Sequence, residues 1–342
     1  MDNQDLAIRF ELLADDDVAQ LLTLPDNVTD LFIERRELQL PALPAHVKVL
    51  TLWKVKLLGQ VVMAEGLQRL ELSECSSDLP INEWMLPASL TTLEVAASEF
   101  DSLDLSDLSV KMLVLYKQYT ASWKTKLPAS LKALTIINGW YAKLPTLPAS
   151  LETLEIDSCG ALSDFSSARE VKIVSLSVSR MSASDLALYD NFSELRELVI
   201  NEVEDRFPEI SLTHLRRLKF RNCGFRLPIE VNAPNLETLL LEDSAVEVRG
   251  DLSGVTSVIM DNHSSLPEVD GWDSLTSVEL EYVSEWPVAK LPHIPRLKRL
   301  VLKPLEGEEI IETNGVRVSN LREYKEAWSF TSRKKGGYSA QA

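Results

Sequence analysis

Three cysteines, four histidines and a run of aspartates are the residues through which this sequence could do chemistry. Cys75, Cys159 and Cys223 could act as nucleophiles, metal ligands or disulfide partners. An odd number of thiols spread this widely makes no disulfide framework and points to a reducing compartment. His46, His214, His263 and His293 stand far apart, without HExxH-like spacing or a Ser/His/Asp arrangement. The "DDD" at 15–17 suits a helix N-terminus or surface charge better than a metal site. With only 12 glycines there is no glycine-rich phosphate loop. No enzyme activity, cofactor or metal is therefore expected.

What positions these residues is a repeat. The pattern apolar-x-x-apolar-x-apolar, as in Leu151–Leu154–Ile156, recurs along nearly the whole chain. Its middle residue falls at Leu31, Leu50, Leu70, Leu93, Leu113, Leu134, Leu154, Leu176, Leu198, Leu218, Leu239, Val258, Val278 and Leu300, in steps of 19 to 23 residues. Each short alternating run predicts one β-strand with its apolar side inward. One strand cannot bury that side alone, so neighbours must stack into a parallel sheet along a solenoid. The return segments carry most of the 16 prolines, which predicts extended or turn structure there rather than long helices.

These features resemble leucine-rich repeats. "LPASL" at 86–90, 127–131 and 147–151, with the variants "LPDNV" at 24–28 and "LPAHV" at 43–47, is similar to the short repeats of secreted bacterial effectors of the IpaH and YopM kind. The LP doublet is clear only up to Leu151, whereas the generic repeat continues to about residue 304. The expected fold class is an α/β repeat protein: a leucine-rich-repeat solenoid of about 14 units with a parallel sheet on its concave face. Its expected division is an N-terminal cap at 1–22 with a short helix over "DDDVAQLL", the solenoid at 23–304, a C-terminal cap at 305–330, and a flexible tail at 331–342. The C-terminal cap is expected to combine a hairpin turning at Asn314-Gly315 with a helix over "SNLREYKEAW". Some such effectors carry a ubiquitin-ligase domain. The stretch after Pro304 is too short for one and has no cysteine, so ligase activity is not expected.

The cysteines share one slot, three residues past the last apolar position of their repeats. In leucine-rich repeats that slot usually holds an inward-turned Asn, which makes a thiol there a small apolar filler rather than a nucleophile. The other slots hold Arg36, Val55, Ser98, Gln118, Gly139, Met181, Val203, Ser244, His263, Val283 and Leu305. No asparagine ladder can form, so the turns must satisfy their backbone groups through each other or water.

The outward positions carry the remaining candidates. Phe32, Trp53 and Tyr116 are large aromatics where a solvated sheet prefers polar groups; they suit either partner anchoring or simple sheet preference. Glu242, Asp261, Glu279 and Glu281, with Asp243 beside them, form an acidic row that suits either a basic partner or a solvated face. Glu155 and Asp157 occupy the same kind of position in their repeat, and Arg217, Lys219 and Arg221 make one basic repeat that could pair with flanking acids. Arg333, Lys334 and Lys335 in the tail read as solvating charge.

A net charge of −17 disfavours phosphate backbones and anionic lipid, so no nucleic-acid or membrane partner is expected. No window is long and apolar enough for a signal peptide or a transmembrane helix. That predicts the cytoplasm, or delivery into a host cytosol. The function expected from all this is non-catalytic binding of a protein partner with a basic surface, by an effector acting on a host protein. The alternative is an acidic immunity-type inhibitor of a basic enzyme.

Overall fold

The computed structural model describes residues 8–13, 16–98, 104–117, 126–139, 144–159, 171–180, 192–204, 209–225, 228–244, 246, 248–261, 272–283, 296–304 and 311–312. The chain divides into two compact units, Met1–Ile173 and Val174–Ala342. Both are built the same way.

In the first unit, strands Val28–Leu38, Val49–Leu57, Arg69–Ser73, Thr92–Ala96, Met112–Tyr116, Ala133–Ile137 and Thr153–Asp157 follow one another as parallel neighbours. Their register places Leu31, Leu50, Leu70, Leu93, Leu113, Leu134 and Leu154 in one row, all buried. In the second unit, Ser175–Ser179, Glu197–Asn201, Arg217–Arg221, Thr238–Glu242, Ser257–Asp261, Ser277–Val283 and Arg299–Pro304 align Leu176, Leu198, Leu218, Leu239, Val258, Val278 and Leu300 in the same manner. All fourteen repeat positions read from the sequence thus sit in strands and in register. The fold is a leucine-rich-repeat solenoid.

The return segments explain the LPASL motif. Leu90, Leu131 and Leu151 close turns by donating their N–H to the carbonyls of Pro87, Pro128 and Pro148. Proline is the first residue of that turn and lends it only a carbonyl, so its missing N–H costs the turn nothing. The motif serine then reaches the repeat before it: Ser150 Oγ lies 2.7 Å from the carbonyls of both Ala129 and Leu131, and Ser89 Oγ is placed likewise on Glu65 and Leu67. In the second unit Asn235 does the same to Thr213. Among the described residues the helices are short 3-10 turns, as the prolines lead one to expect. The second unit adds a short parallel ladder of Ile210–Ser211, Ile229–Asn232 and Val248–Asp251 on its return side.

At the N-terminal end, strand Ile8–Leu12 pairs with Val28–Leu38. The expected helix is a 3-10 turn, Val18–Thr23, whose Asp17 side chain accepts from Ala19 N. It stops early because Pro25 disfavours helical backbone at Leu24. Near the other end, Ile311–Glu312 runs antiparallel to Arg299–Pro304. The Asn314-Gly315 turn, the "SNLREYKEAW" helix and the basic tail lie outside the described residues.

From the first repeat to the one containing Thr238–Glu242, a left-handed residue comes two positions after the last inward apolar residue of each repeat, inside the two long strands Val28–Leu38 and Val49–Leu57 and just past the five-residue strands: Arg35, Lys54, Glu74, Ala97, Lys117, Asn138, Ser158, Arg180, Glu202, Asn222 and Asp243, with φ between 46° and 56°. Apart from glycine, only Asn and Asp adopt this conformation with any frequency. The compensation is a hydrogen bond: the N–H of Glu74, Ala97, Lys117, Asn138, Arg180, Glu202 or Asn222 donates to the carbonyl closing the next strand, at 2.8–3.0 Å.

Candidate protein-binding face

The residue after a left-handed position fills the slot that holds the cysteines, and Val55, Ser98, Val203 and Ser244 are buried there as well. Cys75, Cys159 and Cys223 are all buried there as free thiols. Each thiol donates inward to backbone carbonyls. Cys75 Sγ lies 3.3 Å from both Leu52 O and Ser73 O, and Cys223 Sγ lies 3.4 Å from Ile200 O. Serines complete the slot. Ser98 Oγ accepts from Cys75 N at 3.0 Å, and Ser244 Oγ accepts from Cys223 N at 3.1 Å. The missing asparagine ladder is therefore replaced in part by Cys–Ser steps, not only by backbone and water.

Burial pushes all three thiols up; for Cys159 the result is about 11, with backbone hydrogen bonds opposing and the Asp157 charge adding. The neutral thiol is thus favoured in the folded chain. Its contribution is intact below the unfolded thiol value of about 8.5 and is lost as pH rises towards 11. Iodoacetamide at pH 8 should label the native chain slowly and the denatured chain at all three positions. Rapid labelling of any one cysteine in the folded protein would restore it as a reactive group. No group of three or more His, Cys, Asp or Glu among the described residues is arranged to hold a metal. No helix among them is long and apolar enough to cross a membrane.

The aromatic candidates keep their outward positions but are half-covered by the chain's own cations. Arg9 lies over Phe32 at 4.7 Å, while Arg35 and Lys54 lie over Trp53 at 4.7 and 4.8 Å. Lys117 lies over Tyr116 at 5.2 Å. Such stacking uses ring faces that a partner would otherwise contact.

The acidic row of the second unit is largely satisfied internally. Glu242 binds Lys219 at 2.6 Å and Arg221 at 3.3 Å, so the basic repeat does pair with a neighbouring acid. Glu279 faces Arg299 at 3.6 Å. Asp261 departs from its expected place on the open face: it is only 2% exposed. Its carboxylate accepts the N–H of left-handed Asp243, doing the work that a strand carbonyl does in other repeats. Asp261 is a buried cap and presents no charge to a partner. Asp243 itself is exposed, and the backbone of Glu281 is aligned with Asp261.

A different set of residues comes together in the first unit. A five-residue strand has three outward positions, and the first of them precedes the middle apolar residue. Met112 occupies it and is 45% exposed. Along its strand lie Val114 and Tyr116; the register sets Ala133, Thr135 and Ile137 beside them on one side, and Thr92, Glu94 and Ala96 on the other. The result is an apolar centre of Ala96, Met112, Val114, Tyr116, Ala133 and Ile137. Only Tyr116 stands out in the sequence. Tabulating all three outward rows would have revealed the cluster, because Met112 lies in the row before the middle leucines.

Carboxylates border this centre on both sides. On the preceding strands, Arg69 binds Glu71 and Glu94 at 2.6 Å each. Partial burial raises the Glu94 carboxyl, with Arg69 opposing and Glu71 adding to the effect. On the following strand, Glu155 is exposed and accepts from Thr135 Oγ1 at 3.2 Å, while Asp157 accepts from Ser158 Oγ at 2.8 Å.

No protein-family model matches the chain, and no curated protein does. Solved structures similar to the chain include the following two. The crystal structure of CroV588, described as a novel circular LRR protein, shares 16% identity at a TM-score of 0.47, over 86% of this chain and 52% of that one. YopM from Yersinia enterocolitica WA-314 shares 17% identity at a TM-score of 0.35, over 82% of this chain and 66% of that one. The chain thus spans about half the length of the first and just under two thirds of the second.

Proposed function

We propose that this chain is a non-catalytic protein-binding scaffold that takes its partner on the open face of the first unit's sheet, around Met112, Val114, Tyr116 and Ile137. The observation that carries this reading is the apolar centre itself. A solvated sheet face gains nothing from exposing a methionine among valine, tyrosine and isoleucine, whereas an interface core does. Glu155 and Asp157 on one side, and on the other Glu71 and Glu94, which share the single cation Arg69 and so keep a net negative charge, would steer a partner with a basic surface. Neither a nucleic acid nor a membrane surface fits that charge.

The LPASL repeats resemble those of secreted effectors, which favours a host-cell protein as the partner. Three buried, unpaired thiols suit a reducing cytosol, whether native or host. The reading as an acidic inhibitor of a basic enzyme has less support, because Glu242 and Glu279 already hold cations and Asp261 is buried. The test is Met112→Glu. This exposed change should leave the thermal melt in place and abolish capture of the natural partner. Undiminished capture would remove the face from consideration.

A further inference from the structure

We infer that the element received on this face is an amphipathic α-helix lying along the stacking direction of the repeats, with an aliphatic middle and basic residues towards both ends. This deepens the proposed binding role and rests on it. Backbone geometry decides the occupant first. Strand Met112–Tyr116 is paired on one side with Thr92–Ala96 and on the other with Ala133–Ile137. The apolar centre therefore offers no free strand edge to which an extended peptide could add. An extended segment laid on the sheet face would lose water from its N–H and C=O groups without replacing those bonds. A helix satisfies them internally.

Spacing leads to the same conclusion. Neighbouring strands stand about 4.8 Å apart, and a helix presents same-face residues about every 4.5–6 Å along its axis. A helix crossing the strands sets roughly one side chain over each repeat in turn. Same-side residues of an extended chain are about 6.7 Å apart and fall out of step within two strands. The three outward rows span about 13 Å along each strand, close to the 10–12 Å diameter of a helix with its side chains.

The charges then set the polarity pattern. Over the outward positions of the strands from Arg69–Ser73 to Thr153–Asp157, Arg69 is the one cation, against Glu71, Glu94, Glu155 and Asp157. The acids precede and follow the apolar strands rather than flanking them lengthwise. The complementary helix carries lysine or arginine about one to two turns before and after its aliphatic centre.

Two fluorescein-labelled, end-capped peptides of about 15 residues test this. They share one Leu/Lys/Ala composition, patterned in one case as an amphipathic helix with terminal lysines and in the other as strict strand-like alternation. Fluorescence anisotropy should show the helix-patterned peptide binding the full chain more tightly than its isomer. Met112→Glu should weaken that binding about tenfold or more, although it adds negative charge that general attraction to a cationic peptide would reward. Glu155→Lys, at an exposed position, should weaken it as well. The inference is overturned if the two peptides bind alike, if the alternating one binds better, if neither binds, or if Met112→Glu leaves binding unchanged or stronger. Should the helical peptide fail while Met112→Glu still abolishes capture of the natural partner, the helical occupant falls and the binding face stands.

Discussion

Leu154→Ala is expected to lower the unfolding free energy of the protein by about 2–5 kcal/mol. Leu154 is fully buried in strand Thr153–Asp157, in direct register with Leu134 of the preceding strand. Truncation removes the transfer energy of the lost atoms and leaves a cavity. That cavity cannot collapse easily, because Leu134, Leu151 and Ile156, all buried around it in the same two repeats, are held by the strand and turn hydrogen bonds. The control is the next residue. Glu155 points outward and is exposed, so Glu155→Ala should change stability by no more than about 0.5 kcal/mol. Urea denaturation of the two variants reads both numbers. Equal stabilities would refute the alternation on which the solenoid register depends.

Ser98→Ala is the second large effect, expected at about 1–3 kcal/mol. Ser98 is buried; its hydroxyl donates to Ala96 O at 2.9 Å and accepts from Cys75 N at 3.0 Å. Alanine strands the buried Cys75 N–H without a partner, and an unmade bond to a buried group costs more than the bond contributes when present. Ser244→Ala should behave alike, since Ser244 serves Cys223 in the same way. The distinguishing readout is hydrogen exchange. The Cys75 amide should exchange faster in Ser98→Ala than in the parent, beyond what the global loss of stability explains. An unchanged melt with an unchanged Cys75 exchange rate would mean that the Cys–Ser step does not replace the asparagine ladder.

The strands were legible in the sequence because alternation is a local property: each inward leucine announces its strand without reference to any other repeat. The shared slot of Cys75, Cys159 and Cys223 was legible for the same reason. What depends on the neighbouring repeat was not. Ser98 acts on Cys75, 23 residues away, and nothing within either repeat specifies that bond. Pairing of Lys219 and Arg221 with a flanking acid was open from the sequence, but that the acid is Glu242 follows only from the parallel register that sets the strands Arg217–Arg221 and Thr238–Glu242 side by side. Asp261 looks like an outward acid from its position. It turns into the backbone, where its carboxylate accepts the N–H of the left-handed Asp243. The binding face was half legible: Tyr116, Glu155 and Asp157 were read from residue type, while Met112 and Ile137 become conspicuous only once adjacent strands are laid in register.

The most direct measurement is the dissociation constant of the natural partner for the parent chain and for Met112→Glu, determined by titration calorimetry on proteins whose melting temperatures agree. An interface core at this position predicts binding at least about tenfold weaker in the variant, roughly 1.4 kcal/mol or more. Equal dissociation constants would place the partner elsewhere and contradict the assignment of this face.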